Sequence, residues 1–282
     1  NLGSLNAKLG TQGATLSRGF IFDDDFSGAV LSVGSTAFVF AKVEENSDNM
    51  GDDAQFYTLM HTVATDAFSI TPEVTYVDLA DSSYFYFLAL NADVNLGAAS
   101  VWTSLIYEGG EIDATDMDVS AYLVAVGADV AATDALSIHG QAFYASGDDD
   151  ANDSDIESFA GAAMPGSSYY WAEIMGLGTF DDYASTGAPA DDISNVAAIN
   201  LGTTFKASEK LSLTCDLWYA MLAEDDANGE DELGTEVDLQ ASYQLVDGLT
   251  LDVIAAYLFA GDATSANGSN DEDPYEFGAQ LS

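Results

Sequence analysis

The chain has 282 residues with 48 Asp and Glu against 5 Lys and Arg, a formal net charge of −43, yet 48% of it is hydrophobic. A disordered acidic tail is excluded, because such segments lack the aromatic and β-branched residues needed to bury area, whereas this chain carries 15 Phe, 14 Tyr and 3 Trp. Nucleic-acid binding is excluded too: phosphate neutralisation needs clustered basic residues, and Lys8, Arg18, Lys42, Lys206 and Lys210 are the whole supply.

The single Cys215 can make neither an internal disulfide nor a multi-thiolate metal site. The longest apolar runs, such as 84–90, are about seven residues, far short of the roughly 18 to 20 that a spanning helix needs. The sequence opens Asn1-Leu2-Gly3-Ser4 without a signal-peptide pattern, so it reads as a mature segment or one cut at its ends.

In chain order, about fourteen segments alternate with a period of two: near 3–12, 27–35, 36–45, 54–64, 68–78, 84–94, 98–108, 117–130, 135–146, 194–206, 210–223, 234–246, 248–260 and 274–282. The cleanest sets Leu211, Leu213, Cys215, Leu217, Tyr219 and Met221 against Ser212, Thr214, Asp216, Trp218 and Ala220. Many segments run about 10 to 13 residues, longer than the usual five or six of soluble strands and suited to a tilted membrane-crossing strand.

Tight connections (64–67, 96–97, 132–135, 208–210, 246–248) alternate with long acidic ones (45–54, 109–116, 146–193, 224–234, 261–274). That puts the turns at one end and the loops at the other, the polarity of an outer-membrane barrel. Tyr76, Tyr144, Tyr219 and Tyr257 recur near the loop end of the apolar face, where an aromatic girdle would sit. The expected fold is all-β: one transmembrane antiparallel up-and-down β-barrel over 1–282, with about fourteen strands visible. The soluble rivals, a β-sandwich or β-helix, would require neither one-sided loops nor strands of this length.

The stretch Leu5-Asn6-Ala7-Lys8-Leu9-Gly10-Thr11-Gln12, followed by Arg18-Gly19-Phe20-Ile21-Phe22-Asp23-Asp24-Asp25-Phe26-Ser27-Gly28-Ala29, resembles outer-membrane porins, particularly the alginate-export-like and related proteobacterial groups. The resemblance implies a channel in the outer membrane of a Gram-negative bacterium, surrounded by lipid and lipopolysaccharide. In that family the Gly-x-Gln segment follows several earlier strands, and the last strand ends in an aromatic residue. Here the chain stops at Gly278-Ala279-Gln280-Leu281-Ser282, so 16 or 18 strands fit if the termini are missing. An alginate exporter would line its lumen with Arg and Lys, which this chain almost lacks.

With the apolar set facing lipid, Glu73, Asp93, Asp118, Asp216, Glu236, Asp238, Asp252 and Glu276 are expected to line the pore, opposed by Lys8, Lys42 and Lys206. A negative lumen enriches cations over anions. The connection 146–193 is too apolar for a solvated loop. It is expected to fold inward as a constriction through Tyr169, Tyr170, Trp171 and Glu173, with Arg18 as a positive side of the eyelet. The competing placement packs it outside, against a neighbouring subunit of a homo-oligomer such as a trimer.

Asp148, Asp150 and Asn152 fit the first three ligand positions of a calcium loop, but Asp153 and Phe159 stand at the sixth and twelfth, so loosely bound Ca²⁺ or Mg²⁺ is expected there rather than a dedicated site. No cofactor is implied. Catalysis is not expected either: His61 and His139 are the two imidazoles, and neither a Gly-x-Ser-x-Gly elbow nor a His-Glu-x-x-His occurs. The sequence therefore favours passive diffusion of small hydrophilic solutes. The alternative is a structural barrel, a sheath around a partner protein or a subunit of a surface array, and its lumen would have to stay open.

Overall fold

A computed structural model describes residues 5–45, 53–79, 83–150, 152–159, 169–178, 193–264 and 273–282. Fourteen long strands form one antiparallel meander in chain order: β1 (Leu5–Leu16), β2 (Phe22–Val33), β3 (Thr36–Glu45), β4 (Asp53–His61), β6 (Phe68–Asp78), β7 (Tyr84–Asn95), β8 (Ala99–Ile112), β9 (Met117–Ala131), β10 (Leu136–Ala145), β12 (Val196–Lys206), β13 (Leu211–Leu222), β14 (Glu232–Val246), β15 (Leu249–Ala260) and β16 (Tyr275–Leu281). Two short pieces complete the sheet: β5 (Val63–Ala64) pairs with β6, and β11 (Asp155–Ile156) runs parallel to β9. Among the described residues no pairing joins β1 to β16, so the sheet is not closed.

Period-two alternation becomes an exposed apolar face and a buried face in which polar and apolar side chains mix. In β6 the exposed positions are Phe68, Ile70, Pro72, Val74 and Tyr76, while Glu73, Thr75 and Val77 are buried between them. The same inversion sets exposed Leu213, Cys215, Leu217 and Tyr219 of β13 against inward Thr214, Asp216, Trp218 and Ala220. An exposed apolar face and a polar inner face are what a bilayer demands of a spanning strand. No helix among the described residues is long and apolar enough to cross a membrane.

The expected girdle forms a lateral band. Phe40 and Tyr57 sit opposite one another, as do Tyr57 and Tyr76, and Tyr76 and Tyr86. Tyr107 and Tyr122 continue it on β8 and β9, and Tyr122 stacks on Tyr144 with ring centroids 5.8 Å apart. Gly109 makes room for the band, since a Cβ there would lie 2.4 Å from the Tyr86 phenol oxygen.

The first hairpin departs from the expected boundaries of 3–12 and 27–35. β1 and β2 pair residue for residue from Leu5↔Val33 to Leu16↔Phe22, leaving 17–21 as the connection. Asp23 to Asp25 therefore belong to a strand, where Asp23 accepts a 2.7 Å hydrogen bond from the Thr15 hydroxyl. Cross-strand satisfaction of this kind is invisible to a pattern based on hydrophobicity.

Candidate functional site

The connection 17–21 turns into the lumen. Ser17 and Arg18 are both left-handed (φ 46° and 63°), followed by Gly19 at 95°; two consecutive non-glycine residues in that region are strained and persist only when their surroundings hold them. The holding groups are buried. The Ser17 hydroxyl donates to Glu73 (3.2 Å), Asn91 donates to Ser17 (3.2 Å), and Ser104 donates to Asn91 (2.7 Å). Arg18 pairs with Asp93 at 2.7 Å, with its guanidinium carbon 4.8 Å from the Trp102 ring centre. Its partner Asp93 stands on β7, four strands along the sheet from the sequence-adjacent Asp23 to Asp25 of β2. Trp102 in turn lies against Gly127, where a Cβ would come within 2.3 Å of the indole.

Residues 169–178 enter the lumen from the long connection and meet the first excursion. Tyr169 stacks on Phe20 (3.8 Å between centroids) and meets Phe143 edge-on; its hydroxyl donates to Gln141. Burial pushes the Tyr169 phenol up to about 12, so it remains a neutral donor. Trp171 packs edge-on against both Phe143 and Trp218, each at 5.3 Å. Tyr170 is exposed and Glu173 buried. Glu236 anchors the segment by accepting two backbone hydrogen bonds, from Ile174 at 2.6 Å and Met175 at 2.8 Å. Residues 160–168 and 179–192 of the connection expected to fold inward lie outside the described residues, as does Asp271-Glu272 in the last acidic loop.

Most of the expected lining carboxylates share the inner face: Glu73, Asp93, Asp216, Glu236, Asp238, Asp252 and Glu276. Lys8 has the inner parity of β1, with Gln12 and Leu16. Two residues are corrected. Asp118 has the outward parity of β9, with Ser120 and Tyr122, because the inner positions are Val119, Ala121 and Leu123. These join the core that also holds the infolded Phe159, so sorting by polarity chose the wrong face. Lys42 has the outward parity of β3, with Phe38 and Phe40, opposite the exposed Ser27 of β2. A lysine near the end of a strand can send its ammonium to the membrane boundary along its alkyl stem.

His139 has the inner parity of β10, with Gln141 and Phe143. Its Nε2 lies 2.7 Å from Asp216 Oδ1, which also accepts from Asn200 at 2.9 Å. Gly202 makes this possible, since a Cβ there would fall 2.1 Å from both groups. A glycine inside an otherwise regular strand was the available signal. His139, Gln141 and Asn200 lie between two recesses of about 180 and 170 Å³, one bounded by Trp171, Trp218 and Asp238, the other by Trp102 and Asp129.

Asp148 and Asp150 each accept the backbone N–H two residues on, at 3.1 and 3.2 Å, and Asn152 also donates its side-chain amide to Asp150. These are local turns. Among the described residues no three His, Cys, Asp or Glu side chains gather as a metal-holding group.

No family model and no curated protein matches the chain. Solved structures do. OccK9 (OpdG) of Pseudomonas aeruginosa superposes with a TM-score of 0.61 at 12% identity, covering 100% of this chain and 74% of that one. OccK11 (OpdR) of the same organism gives 0.59 at 14%, covering 98% and 75%. The outer membrane protein OprD of P. aeruginosa gives 0.57 at 16%, with the same coverage. The fold is that of these porins. The narrower alginate-export resemblance gains no support from them.

Proposed function

We propose that the protein is an outer-membrane channel for passive diffusion of small hydrophilic solutes, with a lumen that favours cations. The observation that carries this reading is the inverted polarity of the sheet combined with chain infolded from two connections into its interior. Lipid and lipopolysaccharide cover the outward apolar face, and the acidic loops hold Ca²⁺ or Mg²⁺ loosely. Carboxylates dominate the inner face, and Arg18, the cation at the constriction, is engaged by Asp93, so the net potential along the path is negative.

A sheath around a partner protein would need the lumen clear, whereas residues 169–178 occupy it. Recording from the purified protein in a planar bilayer tests the proposal. Discrete current steps are expected, with larger steps after deletion of 169–178; insertion without current would refute the channel reading.

A further inference from the structure

The inner face of β13 to β16 carries a row of carboxylates. Asp216 stands directly opposite Asp238, Asp238 opposite Ala256, and Ala256 opposite Glu276. Like charges directly opposite on a sheet destabilise one another. Asp216 is relieved by His139 and Asn200. Asp238 shares a side-chain hydrogen bond with Glu236 and accepts one from the Glu173 backbone, yet it is only 8% exposed and its Oδ1 has no hydrogen-bond partner among the described residues. Leaving such an atom dry and unpaired is costly.

Asp238 borders the recess of about 180 Å³ whose other walls include Glu173, Asp216, Tyr170, Trp171 and Trp218. Three aromatic side chains beside three carboxylates select among cations. A small hard ion would want several oxygens converging on one point, and no such group is gathered among the described residues. A larger cation with a spread charge and apolar edges gains from both walls, through charge at the carboxylates and through the quadrupoles of the indole rings. It would also supply the donor that Asp238 Oδ1 lacks.

We propose that this recess is a binding station for small organic cations, an ammonium or guanidinium head held between Asp238 and the Trp171–Trp218 pair. The inference rests on the channel reading and deepens it, since the station lies beside the infolded segment, where a permeating solute must pass.

Methylguanidinium chloride is the probe. Added to single channels carrying K⁺ current, it should block reversibly at concentrations where MgCl₂ does not. The half-blocking concentration should rise about tenfold in Asp238→Asn, equivalent to about 1.4 kcal/mol, and several-fold in Trp218→Leu, while Asp129→Asn in the other recess leaves it unchanged. Equal block of wild type and Asp238→Asn, or equal block by Mg²⁺, would overturn the station and leave the channel intact.

Binding can also be read without conduction. Trp102, Trp171 and Trp218 are all the tryptophans of the chain; Trp102 and Trp218 have inward parity and Trp171 is buried in the infolded segment. Saturable quenching of their fluorescence by methylguanidinium, weakened in Asp238→Asn, would support the station even in a silent barrel. Unsaturable or unchanged fluorescence would refute it.

Discussion

The inner wall has two halves of different chemistry. From β2 to β9 it is largely apolar toward the loop end: Phe22, Phe26 and Phe56 pack with centroids 4.9 to 6.4 Å apart, and Phe87 meets Phe159 at 6.3 Å. From β12 to β16 it carries Asp216, Glu236, Asp238, Asp252 and Glu276. The difference follows from what each half faces. On β2 to β9 the inward rings meet one another and the infolded Phe159 as a dry core, whereas on β12 to β16 the infolded segment is held by carboxylate as well as by rings, Glu236 accepting from the Ile174 and Met175 N–H groups beside the Trp171–Trp218 contact.

The largest expected effect lies on the dry half. Phe56 is fully buried, and Phe56→Ala should cost about 3–5 kcal/mol of unfolding free energy, measured by denaturant titration in detergent or lipid. Asp216→Asn on the other half should leave stability far less affected while weakening cation preference. Equal destabilisation by both would erase the distinction between the halves.

Both halves share one outer face, so an outward charge should not distinguish them. Leu217 in β13 and Leu88 in β7 are exposed mid-strand, and arginine at either should cost about 2–4 kcal/mol in a bilayer. A marked inequality would mean that one of these strands is covered by protein instead of lipid.

On the acidic half, conduction should respond before stability does. Glu236→Gln leaves one acceptor oxygen for the two N–H groups of Ile174 and Met175, a loss of about 1–3 kcal/mol at one bond. The freed segment should show as a larger or noisier single-channel current. An unchanged current would remove Glu236 as the anchor of the constriction.

The smallest effect lies outside both walls. Asp226 accepts the N–H groups of Asn228 and Glu230 at 2.8 and 3.0 Å, and these backbone hydrogen bonds hold its carboxyl below the usual carboxylate value. A depressed value stabilises the folded turn above the ordinary range of about 4 and loses that contribution as pH falls through the folded value. Amide exchange at Asn228 and Glu230 should accelerate in that acid window while conductance at neutral pH is unaffected. Exchange independent of pH, after allowance for the intrinsic rate, would contradict the turn.

Strand count, turn polarity and the outer face were legible because lipid imposes a strict period-two rule, seen most plainly in Leu213, Cys215, Leu217 and Tyr219. The same rule misled wherever the inner face was dry. Asp118 sorts inward by polarity because the true inner residues, Val119, Ala121 and Leu123, are as apolar as lipid-facing ones. The Arg18–Asp93 pair and the Glu236 anchor join residues 75 and 61 to 62 positions apart. Such pairings depend on how an excursion folds across the lumen, which no local pattern encodes. Tyr169 and Trp171 could be read as infolded from their apolarity, though not the side chains they meet.

The central claim is that the acidic half of the inner wall sets selectivity by fixed negative charge. The reversal potential of single channels under a KCl gradient tests this most directly. A shift toward the K⁺ equilibrium potential that diminishes in Asp216→Asn and at high salt is the result expected. A shift toward the Cl⁻ potential would contradict the account.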